Sequence, residues 1–294
     1  MTMTGMLGPE SIATSDASVG IAERVPDSPS TPIRDESWFA SPRLRYIGQT
    51  QTSVAKRVRP HERRTVVLGL EGVLVDTREP ASLSWLVALH DCGYNVALDM
   101  LRQLSGMSGG ELLRVAVGIR ANSPSGREIL ARQEHNFRTW YLPRILPFVG
   151  ARRLVQRMKA DGLRLVALSS GSSEMAPHLL RSSGVAGLLD DVVAADGDAT
   201  DVVLSEIIRA TLGRTGGSRD SIVLLGDCPY DVVAGRRSGI DVVALRCGGW
   251  ADSSLEGAVA VYHDHLHLLN QYPRSPFGTQ GMGSAPQLKL ARVQ

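Results

Sequence analysis

Short apolar runs, rich in β-branched residues, recur along this chain and constrain its fold more than any other feature. The first, Thr65-Val66-Val67-Leu68-Gly69-Leu70, has apolar residues at consecutive positions, which is typical of a strand buried on both faces. Similar runs occupy residues 163–168, 191–194, 222–225, 241–245 and, more weakly, 258–262. Helical patterns lie between most of them, at 151–160, 177–183, 202–212 and 232–238. Strands and helices in this alternation predict an α/β fold, a doubly wound, Rossmann-like parallel sheet covered by helices on both faces.

One segment interrupts the alternation. Between residues 81 and 145 only helical patterns occur, at 82–90, 98–104, 111–117 and 125–141. An all-helical insert after the first strand of a parallel sheet predicts a second, cap-like domain. The core would then comprise residues 65–80 and 146–272. Residues 1–64 and 273–294 are rich in Ser, Pro, Gly or Arg and lack periodicity, so we expect disordered tails there.

Composition narrows the function classes. The 32 basic residues nearly balance the 30 acidic ones, so neither nucleic acid nor an anionic membrane surface is favoured as a partner. No apolar run approaches the length of a membrane-spanning helix, and the first 20 residues lack the basic start and apolar stretch of a secretory signal. Three widely spaced cysteines, Cys92, Cys228 and Cys247, argue against a disulfide framework. We therefore expect a cytoplasmic protein without membrane association.

Oxygen-bearing side chains follow three of the predicted strands. Glu71 and Asp76 come after the first strand, Ser170 and Ser172 after the second, and Asp227 after the fourth. Ligands of open parallel sheets bind outside the carboxyl ends of the strands, so these side chains are expected to share one site. Carboxylates and hydroxyls there suit a divalent cation and a phosphate group.

These segments resemble the motifs of the haloacid-dehalogenase-like phosphohydrolases, in particular the phosphoglycolate-phosphatase-like group with a helical cap. The resemblance runs from about residue 65 to residue 271. It includes the run Gly226-Asp227-Cys228-Pro229-Tyr230-Asp231, the later run Ala234-Gly235-Arg236-Arg237-Ser238-Gly239 and the triplet Gly248-Gly249-Trp250. Three of the four ordered family motifs are recognisable, and the helical insert lies between the first two, as in the family. The resemblance implies a magnesium-dependent phosphatase ancestry.

The first motif departs from the family pattern. Members carry Asp-x-Asp-Gly-x-x-x-Asp, in which the first Asp is the nucleophile and a magnesium ligand. Anchoring that pattern on Gly72 and Asp76 places the nucleophile position at Gly69, which is therefore vacant because glycine has no side chain. The second Asp, the family's acid/base, falls on Glu71, whose backbone would also face the metal. The extra methylene of Glu71 displaces its carboxyl group from the family position.

The second and fourth motifs are kept. By the resemblance, Ser170 supplies the phosphate-binding hydroxyl, Asp227 is a magnesium ligand and Asp231 is its supporting acid. Plainer interpretations exist: Ser170 as a loop serine, Asp227 as a strand end and Asp231 as a helix cap.

The third motif is lost. The family has Lys-Pro-x-Pro-Asp before the helix that starts near Asp201, whereas this chain runs Ala194-Ala195-Asp196-Gly197-Asp198-Ala199-Thr200-Asp201. The nearest lysines in sequence are Lys159 and Lys289. Because one carboxylate ligand is also missing, we expect Mg²⁺ to bind weakly or not at all.

Two further sequence segments can be interpreted in more than one way. Gly106-Met107-Ser108-Gly109-Gly110 fits Gly-x-Ser-x-Gly, but the nucleophile turn of α/β-hydrolases needs a preceding strand, and the residues before this string look helical. The resemblance instead implies a substrate-facing cap loop that contains Gly106, Ser108 and Gly109. The histidines of His263-x-His265-x-His267 are expected on a solvated terminal helix and not at a zinc site.

Two functions follow from these residues. The first is a phosphatase-like protein that has lost phosphoryl transfer and keeps its cleft for binding or scaffolding, with a small phosphorylated ligand or a protein as partner. The alternative is a working magnesium-dependent phosphomonoester hydrolase with a rearranged site. Gly69 favours the first function, because a carboxylate at that position would indicate an enzyme. The sequence specifies neither the ligand nor the oligomeric state.

Overall fold

A computed structural model describes residues 45–49, 64–195, 200–215 and 218–278. Its seven strands are β1 Arg45–Gln49, β2 Thr65–Gly69, β3 Arg164–Ser169, β4 Asp191–Ala194, β5 Ile222–Gly226, β6 Asp241–Leu245 and β7 Ala260–Tyr262. Its α-helices are α1 Arg78–Asp91, α2 Leu98–Gln103, α3 Gly109–Val117, α4 Pro124–Asn136, α5 Ala151–Ala160, α6 Ala176–Ser183, α7 Thr200–Thr215, α8 Pro229–Ser238 and α9 His265–Gln271. The predicted alternation of strands and helices is confirmed.

All seven strands form one sheet in the order β1-β4-β3-β2-β5-β6-β7. Strands β2 to β7 are mutually parallel, so the predicted doubly wound sheet is confirmed. Strand β2 lies between β3 and β5 in the sheet. Strands β3 and β4 follow on one side of it, and β5, β6 and β7 follow on the other side. This reversal of strand order opens a crevice at the carboxyl end of β2, where ligands of such sheets bind.

Alternate residues of the strands build a separate apolar layer on each face of the sheet. Val66 and Leu68 of β2 face the layer completed by α5, α6 and α9, whereas Val67 faces the layer completed by α7 and α8. Both layers are buried, which explains why the strands are continuously apolar in sequence. The sheet therefore holds the carboxyl ends of β2, β3 and β5 in a rigid frame.

The helical insert has a core of its own. Trp85 and Leu89 of α1 pack with Leu101 of α2, Leu113 of α3 and Ile129 of α4. A π-helical turn, Phe137–Tyr141, continues α4 toward the core. The two connections to the core run side by side, because the amide of Asp76 donates to Leu146 O at 3.1 Å and the amide of Phe148 donates to Leu74 O at 3.2 Å.

Both expected tails contain structure. Strand β1 lies within residues 1–64 and pairs antiparallel with β4 at the edge of the sheet. At the other end, Ser275 and Phe277 are buried, and Phe277 stacks on Tyr272, so the described fold extends past residue 272 to residue 278. The remaining parts of both expected tails lie outside the described residues.

No described helix has the length and apolar character that a membrane crossing requires. Cys92, Cys228 and Cys247 are all free thiols, and Cys228 is buried.

The expectation of a solvated helix at the histidines is wrong for His265. This residue is 1% exposed, its ring stacks on Phe148, and its Nε2 donates to the carbonyl oxygen of Val73 at 2.7 Å. Burial lowers the pKa of His265 to about 4, and the hydrogen bond to Val73 opposes that shift only in part. Neutral His265 thus ties α9 to the loop after β2.

We predict that His265 destabilises the protein as the pH falls. Its folded pKa lies below the ordinary value of 6.5, so the unfolded state binds the proton more tightly and stability is lost between about pH 6.5 and pH 4. The loss attributable to this group is about 3 kcal/mol at the acid end. The measurement is the free energy of unfolding against pH for the wild type and His265→Gln, which keeps a donor for Val73 O but does not titrate. Equal slopes for the two proteins between pH 6.5 and pH 4 would contradict the prediction.

Candidate functional site

A cleft of about 540 Å³ lies between the carboxyl ends of the strands and the helical insert. Its floor carries Glu71, Ser170 and Asp227, and its wall on the insert side includes Trp85 and Met107. The predicted strand-exit residues are therefore brought together. Fully enclosed or half-open cavities of this size accommodate small organic ligands.

Glu71 makes the contact that organises the floor. The loop from Leu70 to Val75 is closed by backbone hydrogen bonds, of which Gly72 N to Val75 O is 3.0 Å long. This loop directs the Glu71 side chain toward the end of β3. There the hydroxyl of Ser169 donates to Oε1 of Glu71 at 2.6 Å, and the amide of Ser170 donates to Oε2 at 3.0 Å.

These donors form the kind of arrangement that binds anions. A hydroxyl and successive backbone amides converge at the end of a strand, as they do where proteins hold phosphate. In this chain the carboxylate of Glu71 occupies them. Burial raises the pKa of Glu71, while the hydrogen bonds from Ser169, Ser170 and Gly171 oppose that rise.

The sequence analysis assigns the phosphate-binding hydroxyl to Ser170, whereas the hydroxyl that donates to Glu71 belongs to its neighbour Ser169. Ser170 lines the cleft, and its backbone amide contacts Glu71. Ser169, which the sequence analysis did not single out, supplies the hydroxyl and is fully buried. The signal for Ser169 was its place as the last residue of the strand, where a polar side chain must find a partner.

Gly69 lies at the end of β2 and lines the cleft without offering a ligand. Its backbone is of an ordinary conformation, so the glycine is not required by a turn. A Cβ atom at this position would lie 3.0 Å from Cγ2 of Val73 and would need only a small adjustment of that side chain. The position that the resemblance assigns to the nucleophile therefore carries no side chain, and a Cβ there would require the Val73 side chain to shift.

Asp227 follows β5 and is 8% exposed. Two glycines make room for its carboxylate, since a Cβ on Gly72 would lie 2.3 Å from Oδ1 and a Cβ on Gly248 would lie 2.0 Å from Oδ2. Burial raises its pKa well above the ordinary value, the charges of Asp231 and Glu71 add to that rise, and Arg78 opposes it.

Asp231 caps the turn between β5 and α8. Its Oδ2 accepts hydrogen bonds from the amides of Asp227 at 2.9 Å and Cys228 at 3.2 Å, and from the Cys228 thiol at 3.2 Å. Gly226 is needed beside it, because a Cβ there would lie 2.5 Å from the Asp231 side chain. The oxygen that makes these bonds fixes the turn that presents Asp227.

The described residues do not offer the set of ligands that the family's magnesium site requires. Gly69 contributes no carboxylate, and Oδ2 of Asp231 holds the turn, so the predicted ligands that remain are the Asp227 carboxylate and the backbone oxygen of Glu71. Asp227, Cys228 and Asp231 do lie close enough to share an ion, but burial and the neighbouring carboxylates raise the pKa of the Cys228 thiol well above its usual value. A neutral thiol is a poor metal ligand.

Only part of the loop that was predicted to face the substrate lies at the cleft. Gly106 and Gly109 line the cleft, and Gly106 has φ +102° and lies so near the core that a Cβ would be 2.7 Å from the Cys228 sulfur. The prediction that Ser108 faces the substrate is wrong. It is buried, does not line the cleft, and forms a capping box with Glu111 at the start of α3. A Ser three residues before Glu is the sequence signature of that box.

Arg78 is a residue of the cleft that sequence reasoning missed. It opens α1, donates through Nη1 to Gly248 O and through Nη2 to Arg102 O at 3.2 Å, and lies 4.7 Å from the Trp250 ring centroid. Its position directly after the first motif was the available signal.

The shortened third motif cannot be placed in the same way, because residues 196–199 lie outside the described residues.

The comparisons assign the family. The model of the haloacid dehalogenase-like hydrolase family matches residues 66–245, so the chain belongs to that family. Phosphoglycolate phosphatases from Rhodospirillum rubrum and Caulobacter vibrioides are 30% identical over 143 residues and 24% identical over 212 residues. The first match covers 48% of this chain and 59% of that protein, and the second covers 69% and 88%. A haloacetate dehalogenase H-2 from Moraxella is 28% identical over 43% of this chain and 58% of its own length. The chain thus matches less than two thirds of the Rhodospirillum and Moraxella proteins.

Solved structures agree on the fold. A hydrolase from Pseudomonas syringae superposes with a TM-score of 0.64 at 23% identity, over 72% of this chain and 99% of that one. A haloacid dehalogenase-like family hydrolase from Streptococcus pneumoniae gives 0.60 at 13% identity, over 71% and 98%. At these identities the likeness concerns the architecture alone.

We predict that removing the Glu71 carboxylate creates phosphate affinity. Glu71→Ala frees the Ser169 hydroxyl and the Ser170 amide and also removes a negative charge from the floor. Titration calorimetry with inorganic phosphate should show at least tenfold tighter binding to Glu71→Ala than to the wild type. Glu128→Ala, an exposed substitution on α4, is the matched control. Equal phosphate affinity of the wild type and Glu71→Ala would show that Glu71 does not compete for these donors.

Proposed function

We propose that this protein is a non-catalytic member of its family, whose cleft binds a ligand and does not transfer phosphoryl groups. The observation that carries the proposal is the hydrogen-bonded Glu71 carboxylate on Ser169 and Ser170, beside the vacant position at Gly69. Covalent catalysis of the family type needs a nucleophile that attacks phosphorus, and glycine supplies none. A phosphate group would also have to displace Glu71 before it reached the donors.

Charge supports the same proposal. A phosphate monoester brings two negative charges, which a phosphatase offsets with a cation and with fixed donors. Lysine occurs in this chain only at positions 56, 159 and 289. Lys159 pairs with both oxygens of Asp190, at 2.7 and 2.8 Å, and does not line the cleft. We propose accordingly that Mg²⁺ binds only in the millimolar range or more weakly, and that the three free cysteines belong to a reducing compartment such as the cytoplasm.

A second candidate function is a magnesium-dependent phosphomonoester hydrolase with a rearranged site. Its support is the similarity to phosphoglycolate phosphatases and the raised pKa of Glu71, since a carboxyl group of this kind inside a cleft can serve as a general base. In that function Glu71 would activate a water molecule that attacks phosphorus directly. The carboxylate would first have to leave the Ser169 hydroxyl.

An activity assay separates the two functions. We predict that the purified protein releases no phosphate from small monoesters, phosphoglycolate included, above the rate measured for Asp227→Asn. Both proteins are prepared identically and assayed at Mg²⁺ concentrations up to about 10 mM. Asp227→Asn removes the cleft carboxylate that the resemblance assigns as a magnesium ligand, so any phosphate release that remains in this variant reports contaminating phosphatase. Magnesium-dependent turnover that Asp227→Asn abolishes would overturn the proposal and establish the hydrolase.

A further inference from the structure

One run of the chain is strongly basic, although the chain as a whole is nearly neutral. Residues 137–160 contain no acidic residue and six basic ones: Arg138, Arg144, Arg152, Arg153, Arg157 and Lys159. The run comprises the second connection between the insert and the core, together with the helix α5 that follows it. Because the net charge of the whole chain is only +2, this run concentrates positive charge on one part of the molecule.

Half of these basic side chains have no carboxylate partner. Arg138, Arg144 and Arg153 are exposed, and no carboxylate of the described residues lies within ion-pair distance of them. The other three each have a partner within the described structure. Arg153 lies beside Arg152 in the first turn of α5, which contains no acidic residue and whose amide groups already present partial positive charge. Two arginines in that turn are unfavourable for the helix on its own, and an anionic partner would offset their charge.

Exposed apolar side chains occur in the same part of the molecule. Of the five large apolar side chains that are exposed among the described residues, four belong to this run or adjoin it: Trp140, Leu146, Val149 and Leu266. Leu146 is 70% exposed and Val149 is 78% exposed. Leu266 of α9 lies next to them, because a Cβ on Gly150 would be 2.8 Å from its Cδ2 atom. Single exposed apolar residues are normal on a protein surface, whereas a group of them indicates an interaction site.

Leu146, Val149 and Leu266, together with Arg144 and Arg153, form the basic apolar surface. None of these five residues lines the cleft, so the surface is separate from the candidate site. A partner that covers it must offer apolar side chains to the first three residues and carboxylates to the two arginines. Both requirements follow from the complementarity of charge and of apolar area that protein interfaces show.

An acidic protein segment fits this surface better than an anionic membrane does. Membrane-binding surfaces commonly present their apolar and basic residues along one helix, whereas these apolar side chains come from a connecting segment and from α9. Two acidic residues also border them: the amide of the exposed Asp76 donates to Leu146 O, and Asp264 lies two positions before Leu266. The small net charge of the chain adds little long-range attraction to lipid. A protein segment can place its carboxylates at the arginines and avoid the acidic border.

We propose that the basic apolar surface is the docking site for an acidic segment of a partner protein, one that carries both carboxylates and large apolar side chains. The carboxylates pair with Arg144 and Arg153, since guanidinium groups form strong bidentate hydrogen bonds with carboxylates. The apolar side chains of the partner cover Leu146, Val149 and Leu266 and remove them from water. This inference does not depend on the chemistry of the cleft and applies to a catalytic and to a non-catalytic protein alike.

The test uses a display library of short random peptides as the probe. Peptides are selected for binding to the full chain, synthesised, and titrated by fluorescence anisotropy against the wild type and two double variants. Val149→Ser with Arg153→Glu changes the basic apolar surface. Val233→Ser with Arg236→Glu is the matched control, because it makes the same changes at exposed positions of α8, on the other face of the sheet. Since all four side chains are exposed, both double variants are expected to fold.

We expect the selected peptides to be enriched in acidic and large apolar residues. They should bind the variant of the basic apolar surface at least about tenfold more weakly than the wild type, and the α8 control as tightly as the wild type. If no peptide is enriched, if the enriched peptides lack acidic residues, or if they bind both double variants equally, the inference is wrong.

Two further measurements test the other occupants of the surface. Sedimentation velocity reports association between copies of the chain, and cosedimentation with vesicles of phosphatidylserine and phosphatidylcholine reports membrane binding. We expect the wild type and Val149→Ser with Arg153→Glu to behave alike in both measurements. Self-association or vesicle binding that this double variant abolishes would assign the surface to a second copy or to a membrane, and would overturn the inference.

Discussion

The hydrogen bonds from Ser169 and Ser170 to Glu71 hold together the two loops on which the site depends. Glu71 belongs to the loop after β2 and the two serines end β3, so one carboxylate joins neighbouring strand exits across the floor of the cleft. Charge-assisted hydrogen bonds of this kind are shorter and stronger than neutral ones. The same contact occupies donors at the end of β3 that resemble those of an anion-binding site. We propose that it both orders the floor of the cleft and keeps phosphate from these donors.

The helical insert is held over this floor by contacts at one edge. Arg78 donates to Arg102 O and Gly248 O, while the Tyr230 hydroxyl donates to Gln103 O at 2.8 Å. Tyr230 also meets the Trp250 ring edge-on, with centroids 6.3 Å apart. The carbonyl groups at the end of α2 thus receive donors from the core and from the start of α1. These bonds keep the apolar wall opposite the acidic floor and give the cleft its two chemical characters.

The fold could be predicted from the sequence because runs of apolar residues and helical patterns alternate along the chain. Consecutive apolar residues in β2, β3 and β5 indicated buried parallel strands, and the helical insert stood out as the one stretch without them. Strand β1 was missed because a short edge strand depends on pairing with β4, which no local pattern records. His265 was misplaced because its partner, Val73 O, lies 192 positions away in the chain. Ser108 was misassigned because a family loop and a capping box share the same residues.

The candidate site was predictable in its members but not in their contacts. Gly69, Glu71, Ser170 and Asp227 do meet at one end of the sheet, as strand exits must. The extra methylene of Glu71 was expected to displace a catalytic carboxyl group, yet only the structure shows that the displaced group reaches Ser169. Arg78 acts through backbone carbonyl groups distant in sequence, so residue type alone did not reveal it.

The central claim is that Glu71 occupies the anion-binding donors of the ancestral site. A crystal of the wild-type protein soaked in phosphate and Mg²⁺ tests it most directly. We expect the Glu71 carboxylate to stay within hydrogen-bond distance of Ser169 Oγ and Ser170 N, at about 2.6 and 3.0 Å, with no phosphate on those donors. A phosphate bound to Ser169 and Ser170, with Glu71 turned away and a magnesium ion on Asp227, would contradict it.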